Sequence, residues 1–129
     1  ELFRSSSGLF NIAAHPDLIK IFSVDSFHTW LDREENQRLV RDGLEALKAS
    51  GMAMEISSVG IRKPCREIYP CATIMRMASD LKLPVTFASD AHTTEDVAYG
   101  FPRLATYAKA FGFTKSVVFD NGRCESLEF

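Results

Sequence analysis

Asp90 and His92, two residues apart in "VTFASDAHTTEDV", place a carboxylate and an imidazole directly after an apolar run. One carboxylate oxygen and one imidazole nitrogen are donors that a zinc, manganese or iron ion accepts. Residues two apart on an extended backbone project to the same side, so the pair can address one ion together. His15 follows another apolar run, "FNIAAH", and Glu55 lies near the end of a third, "MAMEIS". Each has a plainer account when taken singly. Asp-x-His after a strand commonly forms a turn in which Asp caps the next helix. His15 in "HPDLIK" could bond a backbone carbonyl beside a turn stiffened by Pro16, and Glu55 could pair with an Arg or Lys. Together, three junctions that each offer a metal-competent side chain make one shared site the more economical account. His28, in "VDSFHTW", has no such context and reads as an exposed loop histidine.

The elements that must position these side chains follow from hydrophobic spacing. Strands are expected at 10–15, 52–57, 85–89 ("VTFAS") and 115–120 ("KSVVFD"), short apolar runs bounded by polar or turn residues. Val40, Leu44 and Leu47 mark one face of a helix over about 33–50, closed by Gly51. Ile74, Met77, Ala78 and Leu81 mark a second, with Pro70 in its first turn, and Phe101, Leu104, Ala105 and Ala108 a third, ended by Gly112. The order β-α-β-α-β-α-β implies an α/β chain of parallel strands joined by right-handed crossovers. Ligands bind at the carboxyl ends of such strands, where His15, Glu55, Asp90 and His92 all lie.

Bulk composition excludes some functions. With 129 residues, 46% hydrophobic and 25% charged, the chain has the size of one globular domain with a real core. Fifteen Lys and Arg against seventeen Asp and Glu leave a net charge of −2, so no basic field invites nucleic acid or an anionic membrane. No apolar run approaches eighteen residues and no signal-peptide pattern opens the chain. Cys65, Cys71 and Cys124 are odd in number and lack C-x-x-C spacing, which fits free thiols in a reducing, cytoplasmic setting better than a disulfide framework.

"NIAAHPDLIKIF", "MEISSVGIRKPCREIYP" and "VTFASDAHTTEDVAYGF", in this order and spacing, resemble the later half of the histidinol-phosphate phosphatases of the PHP (polymerase and histidinol phosphatase) superfamily. The resemblance continues to the closing "GFTKSVVFDNGRCESLEF". It implies a distorted, partial TIM-like β/α barrel, two or three divalent metals (Zn, Mn or Fe) and hydrolysis of a small phosphorylated substrate, histidinol phosphate first among them. His15 matches the metal ligand of the third motif, and Asp90 and His92 match the ligands of the fourth. Such enzymes hold phosphate with basic loop residues, for which Arg62, Lys20 and Lys63 are the candidates. Glu55 matches the Glu of an "E-I-N" strand end, but Ser57 replaces the Asn, so no ligand role is assigned to it. Asp17 would orient His15 or a basic loop residue. In the mechanism so implied, the metals activate water for in-line attack on phosphorus and stabilise the phosphoryl oxygens.

Members of that superfamily open with a His-x-His motif and supply a further His and an acidic ligand before the region matched here; residues 1–129 contain no His-x-His. The expectation is a C-terminal part of a PHP domain over 1–129, weak or inert alone, belonging to a longer chain or self-associating across an open barrel edge. Two other classes stay open. One is a related phosphoesterase acting on nucleotides, sugar phosphates or a nucleic-acid end, the last disfavoured by the charge balance. The other is a non-enzymatic module that binds a metal or a partner.

Overall fold

A computed structural model describes residues 8–129. Three strands, β1 (Ile12–Ala13), β2 (Ala53–Ser57) and β3 (Val85–Ala88), form a parallel sheet in the order β1-β2-β3. Four helices pack with it: α1 (Val24–Leu31), α2 (Glu34–Ala49), α3 (Ala72–Asp80) and α4 (Phe101–Ala110). Strands β4 (Lys115–Asp120) and β5 (Arg123–Glu128) close the order.

The strand pleat separates two functions. Met54 pairs in register with Ala13 and Val85, and Ile56 with Phe87. These residues join the apolar core with Leu44 and Leu47 of α2, Ile74, Met75 and Ala78 of α3, and Leu104 and Ala108 of α4. Glu55 pairs with Thr86 and Ser57 with Ala88, on the alternate face. All five residues of β2 are buried, so both of its faces are covered.

The α/β class and the three parallel strands agree with the sequence reading, as do α2, α3 and α4. Gly51 and Gly112, at φ 70° and 85°, supply the left-handed turns that end two of these helices. Four expectations change. Helix α1 was not foreseen, although Phe27 and Leu31 bury one side of it. Pro70 precedes α3 instead of entering its first turn, because Cys71 already serves as the N-cap. The first strand shortens to Ile12–Ala13. The run 115–120 lies beside β3 but forms its ladder with β5, antiparallel, from Lys115↔Glu128 to Asp120↔Arg123. Asn121 and Gly122, at φ 48° and 76°, explain this: two consecutive left-handed residues make the tight hairpin turn whose twist suits antiparallel strands. Among the described residues the sheet is open, with β1 at one edge, and no barrel closes. Among them, too, no helix is long and apolar enough to cross a membrane.

Candidate active site

Two candidate ligands stand where the chain leaves the sheet, and both are bent into the left-handed region: His15, after β1, has φ 27°, and Asp90, after β3, has φ 47°. Non-glycine residues hold such angles only when surrounding contacts impose them, and functional sites concentrate them. One imposing contact is visible. The His15 backbone N–H donates to Glu55 Oε2 at 2.6 Å, which ties the loop after β1 to the middle strand.

Glu55 therefore matters more than its sequence match suggested. It is 8% exposed, and burial pushes its carboxyl above the ordinary 4.5; the hydrogen bond and charge of His15 oppose this, while the Asp90 charge adds to it. Glu55, in the middle of β2, is thus within electrostatic reach of both His15, after β1, and Asp90, after β3. A raised carboxyl stabilises the fold below the unfolded value and loses that contribution as pH rises through the folded one. Stability should accordingly fall as pH climbs from about 4.5. Glu55→Gln, which keeps an acceptor for His15, should flatten that slope and raise the unfolding midpoint at neutral pH; an unchanged pH profile in urea titrations would count against this account.

His92 is exposed, and its Nδ1 lies 2.9 Å from the Asp90 carbonyl oxygen. A carbonyl only accepts, so Nδ1 must carry the proton, which leaves the Nε2 lone pair of the neutral ring for another partner. This is the tautomer that a metal-binding imidazole needs. The donor types of His15, Glu55, Asp90 and His92 thus fit a divalent cation. As placed, they do not make a closed site: no group of three or more His, Cys, Asp or Glu positioned to hold a metal occurs among the described residues.

The three basic candidates part company. Arg62 stays at the rim: its Nη2 donates to the carbonyl of Ser89, the residue before Asp90, at 2.6 Å, and its guanidinium pairs with Asp96. Lys63 is half-buried one residue on. Lys20 is a correction. Its ammonium is fully buried, 2.9 Å from both Asp17 Oδ2 and Glu67 Oε2, and donates to the Ile68 carbonyl at 3.0 Å. An ammonium has three donors, and all three are occupied, so none is left for phosphate. Burial alone would lower the Lys20 pKa, but Asp17 and Glu67 outweigh it and raise the value, which keeps the charge in place. Asp17 orients Lys20, as expected of a carboxylate in that loop, and also accepts from the Cys71 backbone N–H at 2.8 Å.

Glu67, which no sequence signal singled out, and His28, which the sequence places in an exposed loop, complete the network. His28 sits on α1, with Nε2 2.9 and 3.0 Å from the two Glu67 oxygens. Burial pushes Glu67 up, but hydrogen bonds from Lys20 and His28 outweigh it and hold the carboxyl below its ordinary range. A cavity of about 750 Å³ borders this network and is lined by His28, Glu67, Cys71, Arg103 and Tyr107 among others. None of the candidate metal ligands lines it. The carboxylate and imidazole that do border it, Glu67 and His28, are paired with each other and with Lys20, whereas those at the strand ends are not. All three cysteines are free, Cys65 and Cys71 buried and Cys124 exposed.

The chain is similar to known proteins. The chain is 33% identical over 95 residues to a Deinococcus radiodurans protein described as a "Probable histidinol-phosphatase". This chain is a relative of the histidinol phosphatases. That match covers 74% of the chain and 34% of the Deinococcus protein. A crystal structure of a provisionally assigned histidinol phosphatase, hisK, from Listeria monocytogenes superposes with a TM-score of 0.64 at 28% identity, covering 72% of this chain and 35% of that one. The chain thus spans about a third of the length of the histidinol phosphatases it matches. No protein-family model matches it.

Proposed function

We propose that residues 1–129 form the C-terminal part of a PHP-type, metal-dependent phosphatase that hydrolyses histidinol phosphate to histidinol and phosphate in histidine biosynthesis. The observation that carries this reading is that Glu55 of β2 accepts from the His15 N–H after β1 and feels the charge of Asp90 after β3, in a relative of the histidinol phosphatases. His15, Asp90 and His92 would hold divalent metal, with Glu55 beside them and the remaining ligands supplied from outside the described residues. Bound zinc, manganese or iron would supply Lewis acidity and an activated water. Arg62, and Lys63 next to it, would neutralise the phosphoryl oxygens, the guanidinium through paired N–H donors. Barrel closure around this sheet would come from further strands added at the β1 edge, where Phe10 and Ile12 are exposed, or from a second copy meeting that edge.

Metal content and turnover test the proposal separately. Manganese or zinc should raise the melting temperature of the 129-residue chain, and Asp90→Asn should remove that gain. Histidinol phosphate should be hydrolysed slowly by the chain alone and rapidly by a protein that also carries the His-x-His half. Turnover by the isolated chain at the rate of an ordinary phosphatase would overturn the partial-site reading. Absence of any metal effect in both proteins would instead favour a partner-binding module without turnover, a reading that the open ligand set among the described residues also accommodates.

A further inference from the structure

Arg62 is gripped by the segment that follows β3. Its Nη2 donates to the Ser89 carbonyl at 2.6 Å, its Nη1 is ion-paired with Asp96 Oδ1, and its guanidinium carbon lies 5.0 Å from the centre of the Tyr99 ring. Tyr99 is tied down in turn, its carbonyl accepting from Ser58 Oγ, and the Ala98 N–H donates to Ser89 Oγ. The Arg62 and Asp96 side chains are 20% and 26% exposed while Nη1 itself is buried, so the pair is not well screened. A guanidinium carries five N–H donors. Nη1 is buried against Asp96 and one N–H of Nη2 goes to Ser89, which leaves the Nε N–H and the second N–H of Nη2 for an anion.

We propose that Asp96 is a positioning residue and resident counter-anion for Arg62, which weakens the grip of Arg62 on phosphate so that a bound phosphate group exchanges instead of staying. The proposal rests on reading Arg62 as a phosphate-holding group. Asp96 acts on an incoming phosphate in two opposed ways: it helps fix the guanidinium plane, which favours binding, and it sets a like charge beside a dianion, which opposes it. Ser89 and Tyr99 already fix the plane, so the charge decides the sign. Hydrolysis of a phosphomonoester leaves inorganic phosphate in the site at every turnover, and product release limits many enzymes. A carboxylate built against the phosphate-holding arginine keeps that step open.

Calorimetric titration of inorganic phosphate into the 129-residue chain, at fixed pH and ionic strength, tests this. Asp96→Asn keeps the size and an acceptor oxygen but removes the charge, and should bind phosphate about tenfold more tightly. Asp96→Glu keeps the charge and should stay within about twofold of the parent chain. The gain in Asp96→Asn should vanish when Arg62→Ala is added. A purely structural Asp96 gives the opposite sign, weaker binding together with a lower melting temperature. That result, or an unchanged affinity in Asp96→Asn, overturns the proposal while leaving Arg62 as the phosphate group. Binding that ignores Arg62→Ala, or is absent from the parent and every variant, overturns the reading of Arg62 itself, and the counter-anion falls with it.

Discussion

Lys20→Met should cost the chain about 3–5 kcal/mol of stability, the loss that follows when one partner of a buried ion network is removed and the others stay. Lys20 and Asp17 are both fully buried, and Asp17 Oδ1 already has no hydrogen-bond partner among the described residues. Methionine fills the space of the lysine stem, so packing is largely kept. What is lost is the charge that keeps a sealed carboxylate tolerable, together with the bridge from the "HPDLIK" loop to Glu67 and Ile68. Urea unfolding measures the loss directly, and a change below about 1 kcal/mol would show that the network relaxes freely. The double variant Lys20→Met, Asp17→Asn should recover part of the deficit, because it replaces the stranded charge by a neutral amide.

Gly60→Ala should be of similar severity, about 3 kcal/mol or a failure to fold, at the upper end for overpacked sites. A Cβ at Gly60 would lie 2.0 Å from the Glu67 carbonyl oxygen and 3.0 Å from Tyr69 Cζ. The carbonyl belongs to backbone that cannot turn aside without moving Glu67, and Glu67 is held by Lys20 and His28. Gly43→Ala provides the control: it lies inside α2, a Cβ there meets nothing within 4 Å, and the exchange should add about 1 kcal/mol through helix propensity. Equal effects at the two glycines would refute the steric argument.

The contrast between Lys20 and Arg62 shows what the sequence could and could not disclose. Both are basic residues in loops that follow strands, and residue type alone cannot separate a cation turned inward from one left at a rim. The difference is made by Asp17 and Glu67, which reach Lys20 from positions 3 and 47 residues away; the nearer partner is readable as a helical spacing, the farther is not. His28 was misjudged for the same reason, since its carboxylate partner lies on another loop. The core was easier. Leu44 and Leu47 of α2, and Ile74, Met77 and Ala78 of α3, bury the faces that their spacing predicts, because burial follows directly from helical periodicity. The hairpin signal was also present, as Asn121-Gly122, but a strand reading based on the apolar run alone carried "KSVVFD" into the parallel sheet. Glu55 was visible as a carboxylate in a strand; its weight came only from the parity of β2, which turns it away from Met54 and Ile56 and toward the loop of His15.

That parity has an evolutionary consequence. Odd-numbered positions of β2 and even-numbered positions of β3 can drift toward new ligands or new substrates while their immediate neighbours go on holding the helices in place. Selection on chemistry and selection on folding then act on interleaved letters of the same short words. An insertion or deletion of a single residue within either strand would exchange the two sets at once, so a change in strand length should be tolerated far less than a substitution at the positions that face away from the core.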